Sequence, residues 1–255
     1  ILLIARPTLS GKRPYLTLWG AGCGFWLAAL AWLRLPHWAT ACGWLALSGY
    51  LGCYLPLFVG LSRIAVHRLG VSVVLAAPLV WTGLELARGH LLSGFRMAAL
   101  GHTQYRWIEL IQISDLGGDY LVDFLIVLVA ACLGRSLRGQ QWPARLWPLV
   151  VAAMALTVTL GYGFFRTSAP ESATTPAARV VLVQGAIDTQ LNVNRDEETF
   201  RQYFRLSQQA LKNFGPVDLL VWPESMYPHP RIDYEPDAQA PEGWPQSQEE
   251  FRRRL

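Results

Sequence analysis

Two carboxylates in this chain stand where an acid can do chemistry. The first closes Leu219–Ser225, LLVWPES, an apolar β-type run that stops on Glu224. A buried strand that delivers one acid at its C-terminal end is a common way for α/β folds to place a general base. Pro223 fixes its own φ and holds Trp222 extended, which would set the direction of the carboxylate. The same pattern equally suits an acid that leaves the strand and caps the next helix. The second acid, Glu85, precedes Arg88 by three residues, so a helix would put them on one face as an ion pair. Near a membrane boundary such a pair either orients a bundle or meets a lipid headgroup. Nucleophiles are scarce. Cys23, Cys42, Cys53 and Cys132 all fall in apolar runs, where a thiol is an inert small hydrophobe, and the only lysines are Lys12 and Lys212. His37, His67, His90, His102 and His229 are too scattered for a metal site, and no cofactor is expected.

The elements that must carry these residues are of two kinds. Hydrophobic residues make up 52% of the chain and charged residues only 16%, well under the roughly 25% of soluble domains. Leu16–Leu33, Trp38–Ser62 and Leu146–Phe165 are free of charge and long enough for the ~17–25 residues of a spanning helix. Leu69–Leu84 ends on Glu85, and Asp119–Gly134 is apolar except for Asp119 and Asp123 near its start. Both are expected to span as well, with the polar end at the interface or facing the bundle. Residues 1–166 therefore read as an α-helical transmembrane domain of about five spans. The repeated apolar runs exclude a lone signal peptide. The eleven tryptophans suit membrane interfaces.

Loop charges give an orientation. Arg6, Lys12, Arg13, Arg63, Arg68, Arg135, Arg138 and Arg145 fall on one side of the expected spans, and Arg34, Arg88, Arg96, Arg106 and Arg166 on the other. That bias puts the chain after Phe165 outside the cytoplasm. The loops account for the net charge of +4, so no nucleic-acid partner is inferred.

Thr167–Ala178, rich in Ser, Thr, Pro and Ala, reads as a linker, and a second domain is expected over 179–255. Arg179–Ile187 is a short apolar run expected as a buried strand, Arg195–Phe214 has helical apolar spacing, and Val217–Trp222 is expected as a second buried strand. Strand, helix, strand predicts a parallel α/β unit. Tyr227–Trp244 is Pro-rich and weak in regular structure, and Gln246–Leu255 could open a helix. The chain starts on Ile1 rather than Met, and two strands are too few for a covered sheet. It is therefore expected to be clipped at both ends.

VLVQG (Val181–Gly185), a helix, and then VDLLVWPES (Val217–Ser225) resemble the opening of the nitrilase, or carbon–nitrogen hydrolase, superfamily. Joined to an upstream bundle, the pattern is similar to the apolipoprotein N-acyltransferase family. Pro78–Gln104 resembles that family's stretch with a Glu-x-x-Arg pair, a Gly-Phe step and a Gly-x-x-Gln, and Gln112–Tyr120, with Leu116–Gly117–Gly118, also fits. The resemblance implies a membrane bundle followed by the N-terminal part of an α-β-β-α nitrilase-type sandwich. It assigns Glu224 as the general base of a Glu-Lys-Cys triad. The reaction implied is transfer of an acyl chain from a phospholipid donor, through a cysteine thioester, to the α-amine of a diacylglyceryl-apolipoprotein acceptor. The implied location is the bacterial inner membrane, multi-pass, with the nitrilase-like domain on the periplasmic side. In the family the lysine and cysteine follow the Trp-Pro-Glu motif, so they are expected beyond Leu255 and the 255-residue piece by itself is expected to be inactive.

The chain departs from the family in places. Ala186–Ile187–Asp188 stands where Asn-Ile-Pro is usual, Asn192–Val193 stands near the Lys-Trp position, and Arg96 replaces a proline. These leave room for a different acyl acceptor. A membrane-anchored amidase of the same superfamily is the alternative activity, and a non-catalytic membrane scaffold is the alternative outside enzymes.

Overall fold

A computed structural model describes residues 1–9, 11, 13–35, 37–137, 142–168, 178–186 and 196–223. The chain divides into two compact units, Ile1–Ser172 and Ala173–Leu255.

The first unit is helical. Its helices are α1 (Pro14–Ala29), α2 (Thr40–Gly52), α3 (Tyr54–His67), α4 (Val73–His90), the single turn α5 (Ile108–Ile111), α6 (Ser114–Ser136) and α7 (Trp142–Ser168). Among the described residues three stretches are long and apolar enough to cross a bilayer: Thr40–His67, Ser114–Ser136 and Arg145–Ser168. The first joins α2 and α3. Cys53 between them keeps helical torsions (φ −65°, ψ −23°), while Pro56 lacks the N–H that would bond Gly52 and so breaks the ladder without breaking the path. The remaining two expected spans take different forms. Helix α1 has 16 residues, a rise of about 24 Å against a ~30 Å hydrocarbon core, and gives way to a 3₁₀ turn at Ala31–Arg34. Helix α4 is displaced from the expected Leu69–Leu84. Gly70 turns at φ +68°, and Ser72 caps the helix by accepting from the Val74 N–H at 3.3 Å. The helix then runs on through Glu85 and Arg88 instead of ending at the acid.

The main core lies where α3, α4 and α6 meet: Phe58, Val59, Val74, Ala77, Val127, Ala131 and Cys132 are buried together. A second cluster, Trp26, Leu30 and Leu51, sits between α1 and α2. These two helices touch backbone to backbone. A Cβ on Gly22 would lie 2.7 Å from the Gly52 carbonyl oxygen, and a Cβ on Gly52 would lie 2.6 Å from the Cys23 sulfur. Lipid tails are as apolar as leucine, so such close approach through small residues supplies the van der Waals contact that holds membrane helices together. Indole N–H groups reinforce it: Trp19 donates to the Gly49 carbonyl at 3.0 Å and Trp44 to the Leu27 carbonyl at 3.2 Å. Phe25, Leu79, Val150 and Phe164 are exposed, the outward apolar surface that a bilayer covers.

In the second unit β1 (Val180–Leu182) and β2 (Leu219–Val221) pair in parallel, with Val180 opposite Leu219 and Leu182 opposite Val221. Helix α8 (Asp196–Phe214) is the crossover. Strand, helix and strand thus appear in the expected order. The strands are shorter than expected, and among the described residues they are covered on one face only. Val183 and Tyr203 are buried, because α8 packs on that side, whereas Val180, Leu182, Leu219 and Val221 remain exposed on the other.

Candidate functional site

The ion pairs of the bundle's described residues gather at one end. Tyr162 near the end of α7 meets Asp115 at the start of α6, so the C-terminal ends of α4 and α7 and the N-terminal end of α6 share that end. The chain leaves for the second unit from there.

Glu85 and Arg88 form the pair expected from their spacing, with Arg88 Nη2 donating to Glu85 Oε2 at 2.5 Å. Both are buried, Arg88 at 2% and Glu85 at 6% exposure, which makes them an internal pair and removes Arg88 from the loop charges counted above. The Arg88 guanidinium also lies 5.2 Å from the Trp26 ring centre, a cation–π contact that ties α4 to α1. Trp26 in turn meets Phe95 edge-on at 6.0 Å. The Gly-Phe step explains how Phe95 arrives there. Leu91 leaves the helix extended, Gly94 turns at φ +82°, and the Phe95 N–H donates back to the Arg88 carbonyl at 3.0 Å. A side chain at Gly94 would run into the Gly89 carbonyl.

Four further contacts pin the segment between α4 and α6. Arg96 pairs with Asp119 and lies 3.7 Å from the centre of the Tyr120 ring. His102 Nε2 stands 3.4 Å from the same Asp119 carboxylate. Asp123, fully buried, accepts the Gly101 N–H at 2.5 Å through Oδ1. Within α6 the Gly117–Gly118 break, with Gly118 at φ +64° and ψ −171°, separates Asp115 from these residues. Asp115 instead accepts the Tyr162 hydroxyl at 2.8 Å and pairs with Arg166 Nε at 3.1 Å.

In the second unit, Trp222 follows β2 directly, and its indole N–H donates to Ser207 Oγ on α8 at 2.9 Å. The same hydroxyl donates to the Tyr203 carbonyl at 2.8 Å. Trp222 packs against Phe200 and Tyr203 with ring centres 5.8 and 5.5 Å away. Helix α8 therefore fixes the residue two before Glu224. Glu224 and His229 lie outside the described residues, as do the Pro-rich stretch and the expected terminal helix. Of the residues singled out from sequence, the structure brings together Glu85 with Arg88 and Arg96 with Asp119. The Trp26 contact and the Ser207–Trp222 hydrogen bond were not anticipated. Trp26 and Arg88 are too far apart in the chain for any local spacing to pair them, and only the buried i, i+4 step from Tyr203 to Ser207 hints at the second.

A unit of helices long and apolar enough to cross a membrane, followed in the chain by a parallel strand–helix–strand unit, defines the class: a membrane protein with a second, α/β unit. Residues 1–132 match the family model described as the apolipoprotein N-acyltransferase N-terminal domain. A protein of Geobacter metallireducens named apolipoprotein N-acyltransferase is 39% identical over 217 residues, which cover 82% of this chain and 41% of that protein. A protein of Rhodopirellula baltica with the same name is 34% identical over 254 residues, 89% of this chain and 43% of the relative. One of Vibrio cholerae, again so named, is 27% identical over 239 residues, with 89% and 45% covered. The chain belongs to the apolipoprotein N-acyltransferase family, and it spans about two fifths of the length of these relatives.

Proposed function

We propose that this chain is the membrane domain and the opening of the catalytic domain of an N-acyltransferase that moves an acyl chain from a phospholipid to the N-terminal amine of a diacylglyceryl-lipoprotein. The observation that carries this reading is the parallel β1–α8–β2 unit, after which the sequence continues through Trp222 and Pro223 to Glu224. It stands directly after a membrane bundle whose sequence belongs to the family. A nitrilase-type sandwich completes the second unit in this reading, with Glu224 as general base. Glu224 takes the proton of a cysteine thiol, the thiolate attacks the donor ester carbonyl, and a lysine steadies the oxyanion. The lysophospholipid alkoxide leaves with the proton from Glu224. The acceptor amine then attacks the thioester, gives up a proton through Glu224, and the thiol is restored. The lysine and cysteine are not assigned to residues of this sequence.

The arginines at the opposite end, Arg6 and Arg68 together with Arg63 and Arg135 near the C-terminal ends of α3 and α6, support a cytoplasmic placement of that end. The α/β unit would then face the periplasm from the inner membrane. Both substrates are lipids, and a bundle that adjoins the reaction lets their acyl chains stay in the bilayer.

The test uses the full-length protein that carries this sequence, reconstituted with a phospholipid donor and a diacylglyceryl-cysteine peptide. Glu224→Gln should lower acyl transfer by about 10²–10⁴-fold, with no thioester adduct seen by intact-protein mass spectrometry. Transfer within roughly tenfold of wild type would refute the assignment of Glu224.

A further inference from the structure

An apolar groove of about 450 Å³ runs along the seam of α6 and α7. Leu121, Phe124 and Leu128 line it from α6, and Met154, Val158 and Tyr162 from α7. The Gly117–Gly118 break adds to its mouth, since Ile113 and Leu116, on the far side of the break, line the same groove. Val158 and Met154 are 67% and 61% exposed, so the groove opens sideways from two helices long and apolar enough to cross a membrane.

Its length and ends identify what it fits. From Val151 to Tyr162 α7 rises about 16 Å, close to one leaflet of a ~30 Å hydrocarbon core. The deep end is wholly apolar. At the mouth Tyr162 donates to Asp115, Asp115 pairs with Arg166 Nε, and Arg166 stands half exposed one helical turn beyond Tyr162. Asp115 takes the Nε of Arg166, and the half-exposed remainder of that guanidinium stands above the apolar slot, where it can meet a chain that carries an anion at one end. A guanidinium is well matched to phosphate oxygens. We infer that the groove between α6 and α7 holds one acyl chain of a bilayer phospholipid, with the lipid phosphate on Arg166. This rests on the membrane setting of α6 and α7 and not on the acyl-transfer reading; Glu224 plays no part in it.

The probe is a phosphatidylglycerol with a diazirine near the end of one acyl chain, mixed into vesicles that hold the full-length protein. Cross-linked peptides are then mapped after photolysis. Labelling should concentrate on residues 124–128 and 151–158. Val158→Trp, which fills the slot from an exposed position, should reduce that labelling by roughly tenfold, the scale of a lost side-chain-sized site. Arg166→Gln should weaken it by a similar factor of about ten, that of one charge-assisted hydrogen bond. Val150→Trp, on a lipid-facing position that does not line the groove, should leave it unchanged. Label spread evenly over outward residues of α1 and α3, and insensitive to Val158→Trp and Arg166→Gln, would reduce the groove to ordinary boundary lipid and overturn the inference. So would protein–protein cross-links from another segment of the chain seated in the groove. Loss of Glu224-dependent transfer with labelling intact would separate this site from the catalytic reading.

Discussion

Replacing Arg88 with methionine would leave the Glu85 carboxylate buried at 6% exposure without the guanidinium that now holds it at 2.5 Å. Breaking a buried pair from one side costs about 3–5 kcal/mol, because the remaining charge keeps its desolvation penalty and loses its compensation. The lost stacking on Trp26 adds to this. At roughly 2–4 °C per kcal/mol for a domain of this size, the Tm should fall by about 6–20 °C. Glu85→Leu alone should cost a similar amount, since it strands the arginine. The double substitution Glu85→Leu/Arg88→Met removes both charges and should return stability to within about 1–2 kcal/mol of wild type or above it. The assay is thermal unfolding of the full-length protein in detergent micelles, followed by tryptophan fluorescence. Single substitutions that each cost under about 1 kcal/mol, or a double that equals their sum, would refute the reasoning. That result is the behaviour of a solvated surface pair.

Two other outcomes follow from close contacts. Gly52→Leu should separate α1 from α2, since even a Cβ there would lie 2.6 Å from the Cys23 sulfur and 2.9 Å from the Cys23 nitrogen; a loss of about 1–3 kcal/mol is expected in the same unfolding assay. Ser207→Ala removes the acceptor of the Trp222 indole and should cost about 1 kcal/mol, and with Glu224 as base it should lower kcat more than it raises KM, measured with the phospholipid and peptide substrates.

Much of the bundle was legible because membrane helices write themselves in runs of apolar residues. The charge-free stretch Trp38–Ser62 overlaps Thr40–His67 over all but its first two residues, and Leu146–Phe165 lies within Arg145–Ser168. Helix α4 runs past its expected end for an electrostatic reason. Counting spans by freedom from charge ends them at the first acid, but Glu85 and Arg88 neutralise one another inside the helix and let it continue to His90. The i, i+3 spacing was visible; whether the pair would be buried depended on Trp26 and α6, which no local pattern reveals. In the second unit the order of strands and helix came from periodicity, and the parallel pairing followed from connectivity. The one-sided cover of the strands did not, since an unbroken apolar run looks the same whether one face or two are packed.

Gly49 and Gly52 sit three residues apart on α2, yet they are under opposite constraints. Trp19 bonds the carbonyl of residue 49, a group every amino acid carries, and a Cβ added at Gly49 meets nothing within 4 Å. Alanine or serine could enter there by drift without loosening the hairpin. At Gly52 and Gly22 the contact is made by the missing side chain itself, and any replacement collides with backbone. A side chain at position 22 or 52 therefore requires a shift of the whole α1–α2 crossing, whereas one at position 49 requires none.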